Sequence, residues 1–146
     1  MTEDNEELDY EQLVTLWNMA GRPSGDDELT PMLSTASREA RVRFLTMLAS
    51  DEDEWVRRSV ASNSETPSEV LTQLAQDDHD WVREDVADNP NTPMEVLAYL
   101  AEDGASPVRE QVADNSNTPM EALTLLAQDE DDVVSELAEW NLRTRS

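Results

Sequence analysis

The sequence predicts an all-α fold, an α-solenoid of about four 26-residue, two-helix repeats behind a helical amino-terminal cap. Three observations carry it. The segment Trp55-Val-Arg-Arg-Ser-Val-Ala-Ser-Asn63 returns at a spacing of 26 residues, opening in turn at Trp81, Pro107 and Val133 and closing at Asn89, Asn115 and Asn141. Between these copies a second segment keeps the same period: Thr66-Pro-Ser-Glu-Val-Leu-Thr-Gln-Leu-Ala-Gln-Asp77, then Thr92 to Asp103, then Thr118 to Asp129. Within both segments the apolar residues recur at helical spacing, and self-similarity at one fixed period is the mark of stacked supersecondary units.

The elements follow in order. Residues 1–8 read as a polar tail. Asp9 to Ala20 reads as a helix with Leu13, Leu16 and Trp17 on one face, halted by Gly21. Arg22 to Asp27 reads as a Pro/Gly/Ser loop. A short helix near Thr30 to Thr35 and a longer one from Ser37 to Ala49 lead into the array, where Phe44 to Asp51 is a degenerate first copy without the Thr-Pro pair. The chain is thus divided into residues 1–36, an acidic tail with capping helices, and residues 37–146, the repeat array, within one domain.

In each repeat Thr66, Thr92 or Thr118 is the expected N-cap of the first helix. Pro67, Pro93 or Pro119 then takes the first helical position, and Glu69, Glu95 or Glu121 closes a capping box. Leu71, Leu74 and Ala75, with their mates one and two periods on, form the apolar stripe of that helix. An acidic turn follows. The second helix places Val82, Val86 and Ala87 on one face and ends at Asn63, Asn89 or Asn115, read as C-caps in the left-handed conformation that asparagine tolerates. Helices this short are unstable alone, so stacking must stabilise them. Ser135 in place of the repeat Arg and Glu139 in place of the repeat Ala suit a terminal copy.

The pattern Val-Arg-x-x-Val-Ala-x-Asn-x-x-Thr-Pro-x-Glu-x-Leu-x-x-Leu-Ala-x-Asp resembles the leucine-rich repeat variant family, a relative in kind of HEAT-like helical repeats, over roughly residues 44 to 144. The resemblance implies a right-handed superhelix, with one α-helix and a second, shorter helix of α or 3₁₀ type in each repeat. It implies a binding scaffold and no common activity. The iron–sulfur module that precedes such repeats in the family's best-known architecture is excluded here, because the chain has no Cys.

Composition narrows the function. The 146 residues carry ten Lys+Arg against 34 Asp+Glu, a formal net charge of −24, and every one of the ten is Arg. The absence of Cys removes thiolate nucleophiles and Cys-ligated metal, and the single His, His79, removes multi-histidine sites and most His relays. Three Gly leave no phosphate-binding loop, so no enzyme and no cofactor are expected. No apolar run approaches the ~18 residues of a membrane span, and the amino terminus opens acidic, so the expected location is cytoplasmic. The charge opposes binding to nucleic acid or anionic membrane and favours a basic protein partner.

Candidate sites follow from the stacking. The acidic turns Asp51–Glu54, Asp77–Asp80 and Asp129–Asp132 occupy equivalent positions, so stacking brings them to one edge, with the turn Asp103–Pro107 less charged. With Trp55 and Trp81 as apolar contacts, the expected protein-binding residues are Asp53, Glu54, Asp78, Asp80, Glu84, Asp85, Asp131 and Asp132. A ridge of about 40 Å would carry roughly 24 charges if it were duplex DNA, which has one per ~1.7 Å. DNA mimicry is therefore an alternative reading, and weak divalent-cation binding by the turns another, although no EF-hand spacing exists. The shared spacing of Asp51 and Arg57, Asp77 and Arg83, and Asp103 and Arg109 predicts a structural ladder, each guanidinium bridging a carboxylate and turn carbonyls of its own and adjacent layers. Arg38, Arg41 and Arg43 form the densest basic patch, which leaves the chain a monomer or a weak head-to-tail oligomer.

Overall fold

A computed structural model describes residues 6–23 and 25–145. Residues 1–5, the start of the predicted acidic tail, lie outside the described residues, as do Ser24 in the predicted loop and Ser146. Among the described residues ten α-helices carry the fold, with no strand beyond a single parallel bridge between Leu8 and Ala36. No described helix is long and apolar enough to cross a membrane. The chain divides into two compact units, Met1–Val60 and Ala61–Ser146.

The first unit holds α1 (Tyr10–Met19), α2 (Asp26–Ser34), α3 (Arg38–Leu48) and most of α4 (Glu54–Ser62), which carries the chain into the second unit. Asp9 and Gln12 cap α1 reciprocally: the Asp9 carboxylate accepts from Gln12 N at 2.8 Å, and the Gln12 side chain accepts from Asp9 N at 2.9 Å. The other end is a Schellman motif. Gly21, at φ 82°, donates to Asn18 O, and Arg22 N reaches back to Trp17 O at 2.9 Å. Trp17 packs edge-on against Phe44, ring centroids 5.7 Å apart.

Two expectations are corrected in this unit. Leu16 is 40% exposed, because the buried pair of α1 is Leu13 and Trp17 and Leu16 lies about 100° around the helix from Trp17. The second helix begins at Asp26 rather than near Thr30, with Pro31 inside it. Burial of Leu29 and Leu33, one turn apart, together with three acidic residues at the positive end of the helix dipole, outweighs the hydrogen bond that Pro31 cannot donate.

The second unit is the repeat array: α5 (Ser68–Leu74), α6 (Asp80–Asp88), α7 (Met94–Leu100), α8 (Ser106–Asp114), α9 (Met120–Leu126) and α10 (Asp132–Arg145). It is a solenoid of three two-helix layers in which α8 packs against both α6 and α10. Both helices of each layer are α, so the 3₁₀ option is not used. The core is aliphatic and repeats with the sequence: Val82, Val86 and Ala87, then Val108, Val112 and Ala113, then Val134 and Ala138 are fully buried. Leu97, Leu100, Leu123 and Leu126 line it from the first helices, joined by Val70, Val96 and Ala122.

The cap assignments are corrected. Thr66, Thr92 and Thr118 are not N-caps; Pro67, Pro93 and Pro119 hold that position with extended ψ near 150° and no side-chain cap bond. Each threonine is buried, and a buried hydroxyl must find an acceptor. Thr92 Oγ1 donates backward to Val86 O and Thr118 Oγ1 to Val112 O, both at 2.6 Å, each a second donor, beside Asn89 N or Asn115 N, to a carbonyl at the end of the preceding helix. Asn89 and Asn115 do terminate their helices, but in the extended region (φ −70° and −73°) rather than the left-handed one. Their side chains are needed elsewhere, and an extended backbone aims them into the neighbouring layer.

Candidate functional site

Two ladders of side chains fix the register of the layers, and between them they decide which acidic residues face solvent. The first is built from asparagine. Asn115 Nδ2 donates to Ala87 O at 2.8 Å and Asn89 O at 3.1 Å, while Asn89 Nδ2 donates to Ala61 O at 2.8 Å and Asn63 O at 3.0 Å. The Oδ1 atoms meanwhile accept from Asn117 N and Asn91 N at 2.9 Å, so each amide is used at both ends. Asn63 Oδ1 accepts from Glu65 N in the same way. Asn91 Nδ2 reaches Ser64 O, and Asn117 Nδ2 reaches Pro90 O. The last helix completes the row differently: Asn141 Nδ2 takes Ala113 O, and Arg145 donates to Asn115 O at 2.7 Å and Thr118 O at 2.6 Å.

The second ladder is ionic. Arg83 binds Asp103 of the following turn through two bonds (Nε–Oδ2 2.8 Å, Nη2–Oδ1 3.3 Å), and its Nη1 donates to Asp77 O at 2.7 Å. Arg109 repeats this one layer on with Asp129 (2.8 and 3.1 Å) and Asp103 O (2.8 Å). Each carboxylate also accepts a backbone N–H two residues ahead, Ala105 N for Asp103 and Asp131 N for Asp129, both at 2.9 Å. Arg109 holds the Asp129 carboxyl below its ordinary value, and the paired guanidinium groups of Arg83 and Arg109 lie above theirs. In the first unit Arg57 Nη1 donates to Asp51 O and Glu52 O, and the Asp51 carboxylate is taken at 2.8 Å by Arg22. The Arg22 guanidinium also lies 4.6 Å from the Trp17 ring centroid.

The remaining candidate residues are distributed as follows. Trp55 belongs to the first unit, exposed, with the Arg58 guanidinium 5.0 Å from its ring centroid and its backbone N–H donating to Asp53 Oδ1 at 2.9 Å. Glu54 opens α4 and Asp53 is exposed. In the second unit Trp81 is 45% exposed and stands 5.1 Å from the His79 ring, whose Nδ1 lies 3.6 Å from Asp80. Asp78 and Asp80 are exposed on the turn, and Glu84 and Asp85 are half-buried on α6. Asp131 is half-buried and accepts from Val133 N and Val134 N at the start of α10, beside the exposed Asp132. Arg43 lies over Tyr10 at 4.2 Å and Arg41 donates to Ala36 O, so two of the clustered arginines are engaged inside the first unit.

Sequence reasoning missed the cross-layer role of the asparagines, the backward threonine bonds and Arg22. The spacing Asn-x-Asn at 89/91 and 115/117 was the available signal, since a mere helix stop has no need of two amides at fixed repeat positions. A polar groove lined by Ala75, Asp77, Arg83, Tyr99, Glu102 and Asp103 runs along the ionic ladder, where Arg83 is committed to the Asp103 carboxylate and the Asp77 carbonyl. Among the described residues no three acidic or imidazole groups converge to hold a metal ion.

Residues 57–116 match the family model described as Leucine Rich Repeat Variant domain, and residues 108–131 match the one described as Leucine rich repeat variant. No curated protein and no solved structure matches the chain.

Proposed function

The chain belongs to the leucine-rich repeat variant family, and from that premise we propose that it is a non-catalytic scaffold whose acidic solenoid surface binds a basic protein partner. One observation carries this reading. In the second unit Arg83 and Arg109 are spent on the internal ladder, whereas Asp78, Asp80, Glu130 and Asp132 on the turns stay exposed. The exposed turns of the second unit are thus acidic, with no arginine among them. In this reading the protein is cytoplasmic and a monomer or a weak head-to-tail oligomer, its surplus of 24 negative charges opposing closer self-association.

Binding of an arginine-rich peptide to the full chain tests it, measured by calorimetry at two salt concentrations. Raising ionic strength from about 0.05 to 0.15 M shortens the Debye length from roughly 14 to 8 Å and should weaken association several-fold, chiefly through the on-rate. An affinity indifferent to salt overturns the reading. Competition by duplex DNA for the same natural partner would instead favour DNA mimicry.

A further inference from the structure

We propose that the exposed face shared by α6, α8 and α10 docks a basic amphipathic helix of a partner protein, its apolar residues over α10 and its basic residues over α8 and α6. The proposal rests on the reading of the chain as an acidic scaffold and names the surface and the kind of ligand. On α6, Trp81, Glu84, Asp85 and Asp88 are spaced i, i+3, i+4 and i+7, so they share one side, opposite the fully buried Val82 and Val86. Their mates one period on are Pro107, Glu110, Gln111 and Asp114, and two periods on they are Val133, Glu136, Leu137 and Trp140. The asparagine and Arg–Asp ladders hold these layers in step, so twelve positions from three adjacent helices form one continuous face.

That face is graded. It carries three acids on α6, two on α8 and one on α10, and no basic residue anywhere among the twelve. Its apolar content is greatest at the opposite end, with Trp81 alone on α6. α10 presents Val133, Leu137 and Trp140, with Val133 49% and Trp140 60% exposed. Solubility accounts for the acids but not for this stripe, since Trp140 stands at the register that Asp88 and Asp114 fill in the other two layers. A second copy of the chain would bring 34 acids against ten arginines to the same face, so charge selects a basic partner. Three helices about 8–10 Å apart span roughly 20 Å, the length of about 13 residues of α-helix.

The probe is a fluorescein-labelled synthetic peptide of about 16 residues, helical and amphipathic, with arginines filling its first two turns and leucines its last two. Its binding to the full chain is followed by anisotropy at about 0.05 and 0.15 M salt. Trp140→Ala should weaken binding about tenfold at both salt concentrations. Glu110→Gln combined with Asp114→Asn should weaken it several-fold at low salt only, flattening the salt dependence. Met94→Ala, on the exposed side of α7, should change nothing, and circular dichroism shows that each variant is folded. No binding of this peptide to the parent chain, or unchanged binding by Trp140→Ala, overturns the proposal. An all-arginine peptide separates the two readings. If it binds with strong salt dependence while Trp140→Ala is inert, the scaffold reading stands and this face is not its site; if neither peptide binds, both fall.

Discussion

At the scale of single residues, Asp129 uses one carboxylate for two tasks. It receives the Arg109 guanidinium from the preceding layer and closes its own turn on Asp131 N. Both contacts favour the ionised form, Arg109 foremost, and the carboxyl lies below its ordinary value. A carboxyl lowered on folding adds stability that is fully present above the unfolded value of about 3.9 and disappears as pH falls through the folded value. Asp129→Asn removes that charge at every pH. The melting-temperature gap between the parent chain and Asp129→Asn should therefore be widest above about pH 5 and should close as pH falls toward 2. A gap that stays constant across that range would mean that the ion pair contributes nothing. Arg22 follows the same logic in the first unit. It adopts φ 59°, a conformation costly for a residue with a Cβ, while its guanidinium is held by Asp51 and the Trp17 ring.

At the scale of elements, seven-residue helices such as α7 and α9 have too few internal hydrogen bonds to persist alone, and the asparagine row is what ties one layer to the next. Asn115 is buried and makes two bonds to carbonyls of the previous layer while accepting a third from Asn117 N. Asn115→Ala strands buried backbone groups and should cost about 2–4 kcal/mol in urea unfolding. Asn115→Asp, nearly isosteric, sets a carboxylate against two carbonyls and should cost at least as much. Loss of less than about 1 kcal/mol in both variants would show that water replaces the ladder. The helices themselves were legible because Val82, Val86 and Ala87 and their mates repeat an apolar spacing that only one fold class accommodates. The caps were not. Thr-Pro-x-Glu reads locally as an N-cap, yet burial of Thr92 made its hydroxyl more useful to Val86 O, a demand set by packing that no window of a few residues contains. Asn89 was identified as a helix end for the same local reason, and its bond to Ala61 O, 28 residues back, is invisible at that range.

At the scale of the whole chain, charge and stability pull in opposite directions, and the candidate binding surface follows from how the conflict is resolved. Asp77 and Asp103 are recoverable as ladder members from a fixed spacing to Arg83 and Arg109, but Asp129 is not, because Ser135 stands where its arginine would be and its partner Arg109 lies 20 residues back. The apolar stripe of α10 was obscured, because Val133, Leu137 and Trp140 lie in the copy that departs most from the repeat. What composition states without ambiguity is the surplus of 24 negative charges on 146 residues. Like charges brought together by folding repel, and salt screens them over about 10 Å at 0.1 M. The same salt weakens the ion pairs of Arg83 and Arg109, but exposed or half-buried pairs are each worth only about 0–1 kcal/mol, and few are available to offset so large an excess. Repulsion should win. The melting temperature of the free chain should therefore rise as sodium chloride increases from about 0.01 to 0.3 M, while affinity for an arginine-rich peptide falls over the same range. Parallel decline of both quantities would place the ladders, not the net charge, in control of stability, and would require the acids outside them to be largely neutralised in the folded chain.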